Sequence, residues 1–104
     1  MKKDVILDSL AALSHETRLD IVRALVPLGK TGMAAGEIGK LAKVPAPRLS
    51  FHLSTLENAG LIASRRESRN VIYSVRHENL GGLISYLMND CCSRDPQICK
   101  ICNP

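Results

Sequence analysis

The sequence predicts a mainly α-helical domain with one small β-hairpin, and three observations favour this fold class. Apolar residues recur at helical spacing in five segments, of which Leu49, Leu53 and Leu56 form the clearest stripe, at i, i+4 and i+7. Alternation of apolar and polar residues at a period of two is confined to residues 61–66 and 71–76, which a polar turn separates. The 104 residues and 45% hydrophobic composition fit one compact domain.

The N-terminal half of the chain is expected to hold three helices. The first covers residues 4–13, and Ser14 is a suitable N-cap for the second helix, which ends near Pro27. The third covers residues 35–43 and follows a connection that includes a short strand at Met33. The apolar faces expected for these helices consist, in chain order, of Val5, Ile6, Leu10 and Leu13, of Leu19, Val22, Leu25 and Val26, and of Ile38, Leu41 and Ala42.

Two further helices are expected. The fourth begins after a turn at residues 44–47, whose second proline is tolerated because its missing N–H has no partner in a first helical turn. It runs to Ala59, and Gly60 is a natural residue to follow its C-terminus. The last helix covers residues 78–90, and its apolar stripe consists of Leu80, Leu83, Ile84, Leu87 and Met88. With the first helix, this wide stripe predicts a dimer interface, packing onto the same domain being the alternative.

The basic charge is concentrated in one third of the chain. Six basic and two acidic side chains lie between residues 43 and 76, so this segment carries the whole net charge of +4. Concentrated charge favours a polyanionic partner, although a solvated surface is the alternative. Two short helices joined by a tight turn and followed by a basic hairpin are typical of a winged helix-turn-helix. We therefore expect the fourth helix to enter the major groove of double-stranded DNA and the hairpin to supply arginines to phosphates or the minor groove.

The candidate DNA-contacting side chains lie on the fourth helix, opposite or beside its leucine stripe, and on the hairpin. They are Pro47, Arg48, Ser50, Phe51, Ser54, Thr55, Arg65, Arg66 and Arg69. Arg48 can bond a guanine edge in bidentate fashion, whereas the short hydroxyl side chains let the backbone come close. Phe51 can touch a thymine methyl, the alternative being an exposed aromatic without a role. His52 lies about 60° from the leucine stripe and is expected to be partly buried and hydrogen-bonded.

The cysteines form a second constellation. All four, Cys91, Cys92, Cys99 and Cys102, lie in the last 14 residues. No export signal is recognisable, because Asp8 interrupts the first apolar stretch, and no apolar run is long enough to span a bilayer. We therefore expect a cytoplasmic protein with reduced thiols and no membrane partner. Adjacent cysteines followed by a third beyond a Pro-containing loop suit a soft ion that takes three sulfurs, such as trivalent arsenic or antimony.

Ion capture at this tail is expected to unwind or bend the end of the last helix, since successive helical side chains diverge by about 100°. Three other interpretations stay open: incidental cysteines in a disordered tail, a tetrahedral zinc or cadmium site, and redox-sensing thiols. Residues 1–90 are expected to form the DNA-binding and dimerisation domain, and residues 91–104 the inducer-binding tail.

No enzyme is expected, and no catalytic residue is assigned. Ser14, His15 and Glu16 are sequential neighbours and not a spatial triad. The sequence contains no phosphate-binding loop and no dinucleotide-binding fingerprint. A module that binds only other proteins stays possible, but it would not explain the concentrated charge.

Three segments carry a family resemblance: residues 13–21 (LSHETRLDI), residues 36–38 (GEI) and residues 49–62 (LSFHLSTLENAGLI). They resemble the ArsR family of bacterial metalloregulatory repressors, and the resemblance covers nearly the whole chain. It implies a homodimer on an inverted-repeat operator, with the first and last helices at the interface and DNA released when an inducer binds. The hairpin departs from the family pattern because its turn has Ser68 where a glycine is common.

The resemblance also bears on the inducer. Many arsenic-responsive members carry cysteines on the helix before the DNA-recognition helix. The fourth helix is the expected recognition helix of this chain, and residues 35–42, which precede it, have no cysteine. Other members place a vicinal pair at the end of the last helix and one cysteine beyond it, and Cys91, Cys92 and Cys99 are similar to that arrangement. Cys102 is additional and could substitute for Cys99. Zinc-type members use Asp and His ligands on the last helix, whose interior here offers none. Arsenite or antimonite is therefore the expected inducer, ahead of zinc or cadmium.

Overall fold

The computed structural model describes residues 1–102. In chain order, its helices and strands are α1 (Lys3–Leu13), α2 (Glu16–Leu25), β1 (Met33–Ala34), α3 (Ala35–Ala42), α4 (Ala46–Asn58), β2 (Ile62–Glu67), β3 (Asn70–Val75), α5 (His77–Tyr86) and α6 (Pro96–Cys102). A 3₁₀ turn, Val26–Thr31, precedes β1, and a π-helical turn, Leu87–Cys91, extends α5. This architecture confirms the predicted fold class. Within this described range, no helix is both long and apolar enough to cross a membrane.

The core lies where the helices α2, α3 and α4 meet the sheet. The leucine stripe of α4 is confirmed, because all three leucines are buried. The buried apolar cluster consists of Ala12, Ile21, Val22, Leu25, Ile38, Leu49, Leu53, Leu56, Leu61, Ile62 and Val75. Full burial of one such aliphatic side chain stabilises a fold by about 1.5–3 kcal/mol, so this cluster fixes the orientation of α4.

Several expected inward positions are wrong. Leu19 is 46% exposed and Leu41 is 59% exposed, and Val26 also faces solvent. On α2 the buried apolar residues are Ile21, Val22 and Leu25, so the face that packs is rotated away from Leu19. Arg18, Val22 and Leu25 stand at i, i+4 and i+7, so this rotation places the charged Arg18 on the same side of α2 as two buried apolar residues.

The cap between the first two helices also differs from the prediction. Ser14 ends α1, and its backbone N–H donates to the Ala11 carbonyl at 3.2 Å. His15 is the N-cap of α2 instead, because its Nδ1 accepts a hydrogen bond from the Thr17 N–H at 3.1 Å. An imidazole can fill this role because its unprotonated nitrogen is an acceptor for one of the free N–H groups of the first turn.

The hairpin is confirmed, and its sheet gains a third strand. The strands pair antiparallel in the order β1-β3-β2, with Met33 opposite Tyr73 and Glu67 opposite Asn70. Only two residues form the turn, and the first of them, Ser68, has a φ of +56°. A positive φ at this position alone is the sign pattern of a type II′ turn, in which glycine is preferred. A serine therefore occupies the left-handed position.

The C-terminal segment departs from the expected loop. Asp95 caps α6, because its Oδ1 accepts from the N–H groups of Gln97 and Ile98 at 3.0 and 3.1 Å. Pro96 follows at the first helical position, where a missing N–H costs nothing. An acidic cap followed by proline was the signal in the sequence for this helix. The tail thus forms a short helix, α6, which follows the end of α5 after a turn.

Candidate nucleic-acid interface and thiol cluster

The outward face of α4 carries the residues predicted to meet DNA. Pro47, Arg48, Ser50 and Ser54 are exposed, and Phe51 is 64% exposed. Thr55 is half-buried, and its hydroxyl donates to the Phe51 carbonyl at 2.9 Å. Because the opposite face is anchored in the core, α4 presents these side chains on a rigid support.

The three arginines predicted to meet DNA from the hairpin of β2 and β3, called the wing below, have different surroundings. Arg66 and Arg69 are exposed, and neither has a hydrogen-bond or ion-pair partner within residues 1–102. Arg65 instead donates to the carbonyls of Lys30 and Thr31, each at 2.9 Å, and pairs with Glu67. Adjacent strand residues point to opposite faces of a sheet, which separates Arg65 from Arg66. Arg65 therefore fastens the wing to the 3₁₀ turn, while Arg66 and Arg69 are free to reach a phosphate.

The wing is also fixed to the recognition helix. The Ser64 hydroxyl donates to Glu57 Oε2 at 2.7 Å, joining β2 to α4. Ser64 and Arg66 share one face of β2, at i and i+2. The position of Arg66 is consequently set relative to α4, as a two-part DNA surface requires.

A buried polar contact that sequence reasoning missed lies behind the recognition helix. His52 is 4% exposed, which confirms the prediction of a buried histidine. Its Nδ1 lies 3.1 Å from Nη1 of Arg18, and its ring centroid lies 4.5 Å from that of His15. Burial lowers the pKa of His52, and the charges of His15, Arg18 and Arg48 lower that pKa further.

The vicinal thiols are already close together. The Sγ atoms of Cys91 and Cys92 lie 3.7 Å apart, because the π-helical turn and the backbone of Cys92 (φ −107°, ψ 4°) depart from regular α-helix. The pair is therefore close before any ion binds, and the expected effect of ion capture on the end of the helix stays a prediction. The contact with Cys91 raises the pKa of the Cys92 thiol, as do burial and the charges of Cys91, Cys102 and Asp95.

The other two cysteines lie on α6. Cys99 is half-buried and Cys102 is exposed, and at i and i+3 they share one side of the helix. The turn before α6 places Ser93 and Arg94 in the left-handed region, with φ of 51° and 52°. Such a conformation is costly for residues other than glycine. Within residues 1–102, no three histidine, cysteine or acidic side chains are assembled as a metal site.

The sequence is similar to those of proteins that regulate transcription. A family described as "Helix-turn-helix domain" matches residues 13–65. The "HTH-type transcriptional regulator YgaV" of Escherichia coli (strain K12) is 35% identical over 83 residues, which cover 80% of this chain and 82% of that protein. The helix-turn-helix match spans α2 to β2 and so contains the whole recognition helix.

Two relatives have names that refer to resistance operons. The "Arsenical resistance operon repressor" of Bacillus subtilis (strain 168) is 31% identical, over 71% of this chain and 69% of that protein. The "Probable mercury resistance operon repressor" of Streptomyces lividans is 29% identical, over 82% of this chain and 73% of that protein. The solved "ArsR-like Transcriptional Regulator from Rhodococcus sp. RHA1" superposes with a TM-score of 0.74 at 24% identity, covering 94% of this chain and 90% of that one. The superposition shows that the two chains share a fold.

Proposed function

We propose that this chain, which belongs to the ArsR family of helix-turn-helix transcriptional regulators, is a repressor that a thiophilic metalloid releases from its operator. The family's members are DNA-binding regulators and not enzymes. The observation that carries the proposal is the vicinal thiol pair, with Sγ atoms 3.7 Å apart, on the helix that leaves the DNA-binding domain.

The DNA surface consists of the outward face of α4 and the wing. Arg48 lies in the first turns of α4, where a recognition helix meets base edges. Arg66 and Arg69, on the wing, supply charge to the phosphate backbone. Arg65 contributes by holding the wing in place, in contrast to the phosphate contact expected for it.

A second copy of the chain is proposed to cover the apolar surface of α1 and α5. Val5, Leu7 and Leu10 are exposed on α1, and Ile84 is 52% exposed on α5. The two helices are in contact, and Met1, two residues before α1, packs so closely on Gly82 of α5 that a Cβ there would lie 2.7 Å from Met1 Sδ. A two-fold dimer through this surface would place two α4 helices on half-sites about 34 Å apart, as an inverted repeat requires.

The inducer is proposed to be trivalent arsenic or antimony. Cys91 and Cys92, with Sγ atoms 3.7 Å apart, are spaced to share one thiophilic ion of any kind, since two thiolates on a tetrahedral zinc lie about 3.8 Å apart. The choice of arsenic or antimony rests on the three-sulfur pattern of the tail. The third sulfur comes from α6, where Cys99 is the proposed ligand and Cys102 an auxiliary one. The names of two relatives, which refer to arsenical and mercury resistance, support a soft ion.

Ion capture is proposed to act through α5. Drawing α6 onto the thiol pair would shift the π-helical turn, and α5 continues directly from that turn into the proposed dimer surface. A displacement there changes the separation of the two recognition helices, whereas the duplex repeat fixes the separation of the half-sites. Moving the DNA-bound state from dominant to rare takes roughly 5 kcal/mol of differential binding.

The decisive experiment titrates the reduced chain, bound to a duplex that it has selected from a random-sequence pool. Arsenite, antimonite, cadmium and zinc are added separately, and release is followed by fluorescence anisotropy. Release by arsenite or antimonite at one equivalent per subunit is the expected result. Equal release by zinc would favour the alternative of a four-cysteine zinc or cadmium site, and release by peroxide alone would favour a redox sensor.

A further inference from the structure

Arg18 of α2 is half-buried, and its guanidinium is turned toward α1 and α4. It shares the packed face of α2 with Val22 and Leu25, which are buried. Its Nε donates to the carbonyl of Ala12 at 2.6 Å, and Nη1 lies 3.1 Å from Nδ1 of His52. A guanidinium has five donors and no acceptor, so Nδ1 must accept, and the imidazole must be neutral with its proton on Nε2.

The contact joins three helices at one point. Ala12 lies in the last turn of α1, where the carbonyls form the negative end of the helix dipole and favour a cation. His52 lies in the middle of α4, on the side buried with the leucine stripe. Arg18 therefore ties the end of the proposed dimerisation helix to the centre of the recognition helix.

We propose that Arg18 and His52 are a positioning pair that sets the orientation of α4 on the domain, so that tight operator binding requires a neutral His52. The pair presupposes the proposed DNA-binding function and lies away from the exposed face that would meet the bases. Neither side chain contacts DNA in this proposal, and both act through the placement of α4.

Protonation of His52 would remove the acceptor and bring two cations within 3.1 Å of each other. The groups around the ring favour the neutral form: His15 and Arg18 from α2 and Arg48 from α4 are basic. Asp8 of α1 is the acidic group that lines the same cleft of about 430 Å³ as Arg18. Because the pKa of His52 lies below its ordinary value of 6.5, the hydrogen bond is present above pH 6.5 and is lost as the pH falls through the folded value.

This pH dependence has the opposite sign to that of ordinary electrostatics. Acidification makes the net charge of a protein more positive, which strengthens binding to a polyanion. Loss of operator affinity on acidification therefore reports the positioning pair and not the net charge of the protein.

The test uses the full chain and two duplexes, one selected by the wild-type protein from a random pool and one of scrambled sequence. Affinity for each is measured across salt concentration and from neutral to mildly acidic pH. For Arg18→Gln we expect a loss of selected-duplex affinity of roughly 3- to 30-fold, the range for side chains that modulate a site without touching the ligand. The slope of log affinity against log salt should stay unchanged, since no phosphate contact is removed.

His52→Asn is the conservative control. Its Oδ1 takes about the position of Nδ1 and accepts a hydrogen bond without titrating. This variant should bind the selected duplex as the wild type does at neutral pH and should not lose affinity on acidification. Thermal unfolding shows whether Arg18→Gln is folded. If it is not, the acid response of His52→Asn still tests the proposal.

Three results would overturn the positioning role. The first is wild-type affinity in Arg18→Gln. The second is a salt slope reduced by about 1 in that variant, because such a reduction marks a direct phosphate contact. The third is a loss of affinity on acidification in His52→Asn that parallels the loss in the wild type. A wild-type chain that selects no duplex from the pool would instead overturn the proposed DNA-binding function itself, so the two failures are distinguishable.

Discussion

The Sγ atoms of Cys91 and Cys92 lie 3.7 Å apart, although neighbouring side chains on a regular helix would point about 100° apart. The π-helical turn that ends α5 accounts for the difference. Two soft donors are thus placed side by side before any ion arrives, and little rearrangement of the pair is needed for binding.

Replacing Cys91 or Cys92 with serine should leave DNA affinity intact and abolish release by arsenite, because either change removes half of the preformed pair. Cys99→Ser should retain a weakened response, since Cys102, at i+3 on α6, can substitute for it, whereas Cys102→Ser should do little. The Cys99→Ser/Cys102→Ser double variant should not respond. Anisotropy of labelled operator during arsenite titration measures the response of each variant. Retained release in a Cys91→Ser/Cys92→Ser protein would rule out the site.

Arg48→Ala should weaken operator binding by about 1–3 kcal/mol and relax sequence preference, the usual effect of losing a base-edge arginine. Arg23→Ala is a matched control, because Arg23 is an exposed arginine on α2 whose ion-pair partner among residues 1–102 is Asp20, at 3.7 Å. Competition between selected and scrambled duplexes measures the preference. Unchanged discrimination in Arg48→Ala would remove this residue from base reading.

The neighbours Arg65 and Arg66 should respond differently to the same substitution. Arg66→Ala should lower affinity for all sequences alike and reduce the salt slope by about 1, because a phosphate contact is lost. Arg65→Ala should lower the free energy of unfolding by about 0.5–1 kcal/mol, since it removes two exposed hydrogen bonds to the carbonyls of Lys30 and Thr31, which water can then solvate. Thermal unfolding and salt-dependent binding separate the two effects. Equal effects of the two variants on both measurements would contradict the assigned roles.

The exposed apolar residues of α1 and α5 offer a test of the dimer. Leu10→Glu/Ile84→Glu should give monomers that bind a full operator poorly, because it places charge in the proposed interface. Leu83 is unsuitable for this test, since it is buried within its own chain and a glutamate there would disrupt the fold. Leu41→Glu, on the exposed side of α3, is the control and should remain dimeric. Sedimentation velocity reports the state, and a dimeric Leu10→Glu/Ile84→Glu protein would place the interface elsewhere.

Much of the fold and of the DNA surface followed from local pattern in the sequence. The leucine stripe of α4 fixes which side is buried and therefore which side, with Arg48 and Phe51, is presented outward. Alternation at a period of two predicted the hairpin. The position of all four cysteines near one end of the chain predicted that they lie close together. In each case a property of a few consecutive residues is sufficient, because helix and strand periodicity convert sequence spacing directly into direction.

Tertiary packing decided what periodicity could not. Leu19 and Arg18 are adjacent, and hydrophobicity alone favours burial of the leucine. In the structure the leucine is exposed and Arg18 is half-buried, where the Ala12 carbonyl and His52 accept two of its hydrogen bonds. Likewise, Arg65 and Arg66 are identical residues whose surroundings differ only because the 3₁₀ turn lies against one face of the wing. The cost of burying a polar group depends on the partners that distant segments supply, and a linear pattern carries no record of those partners.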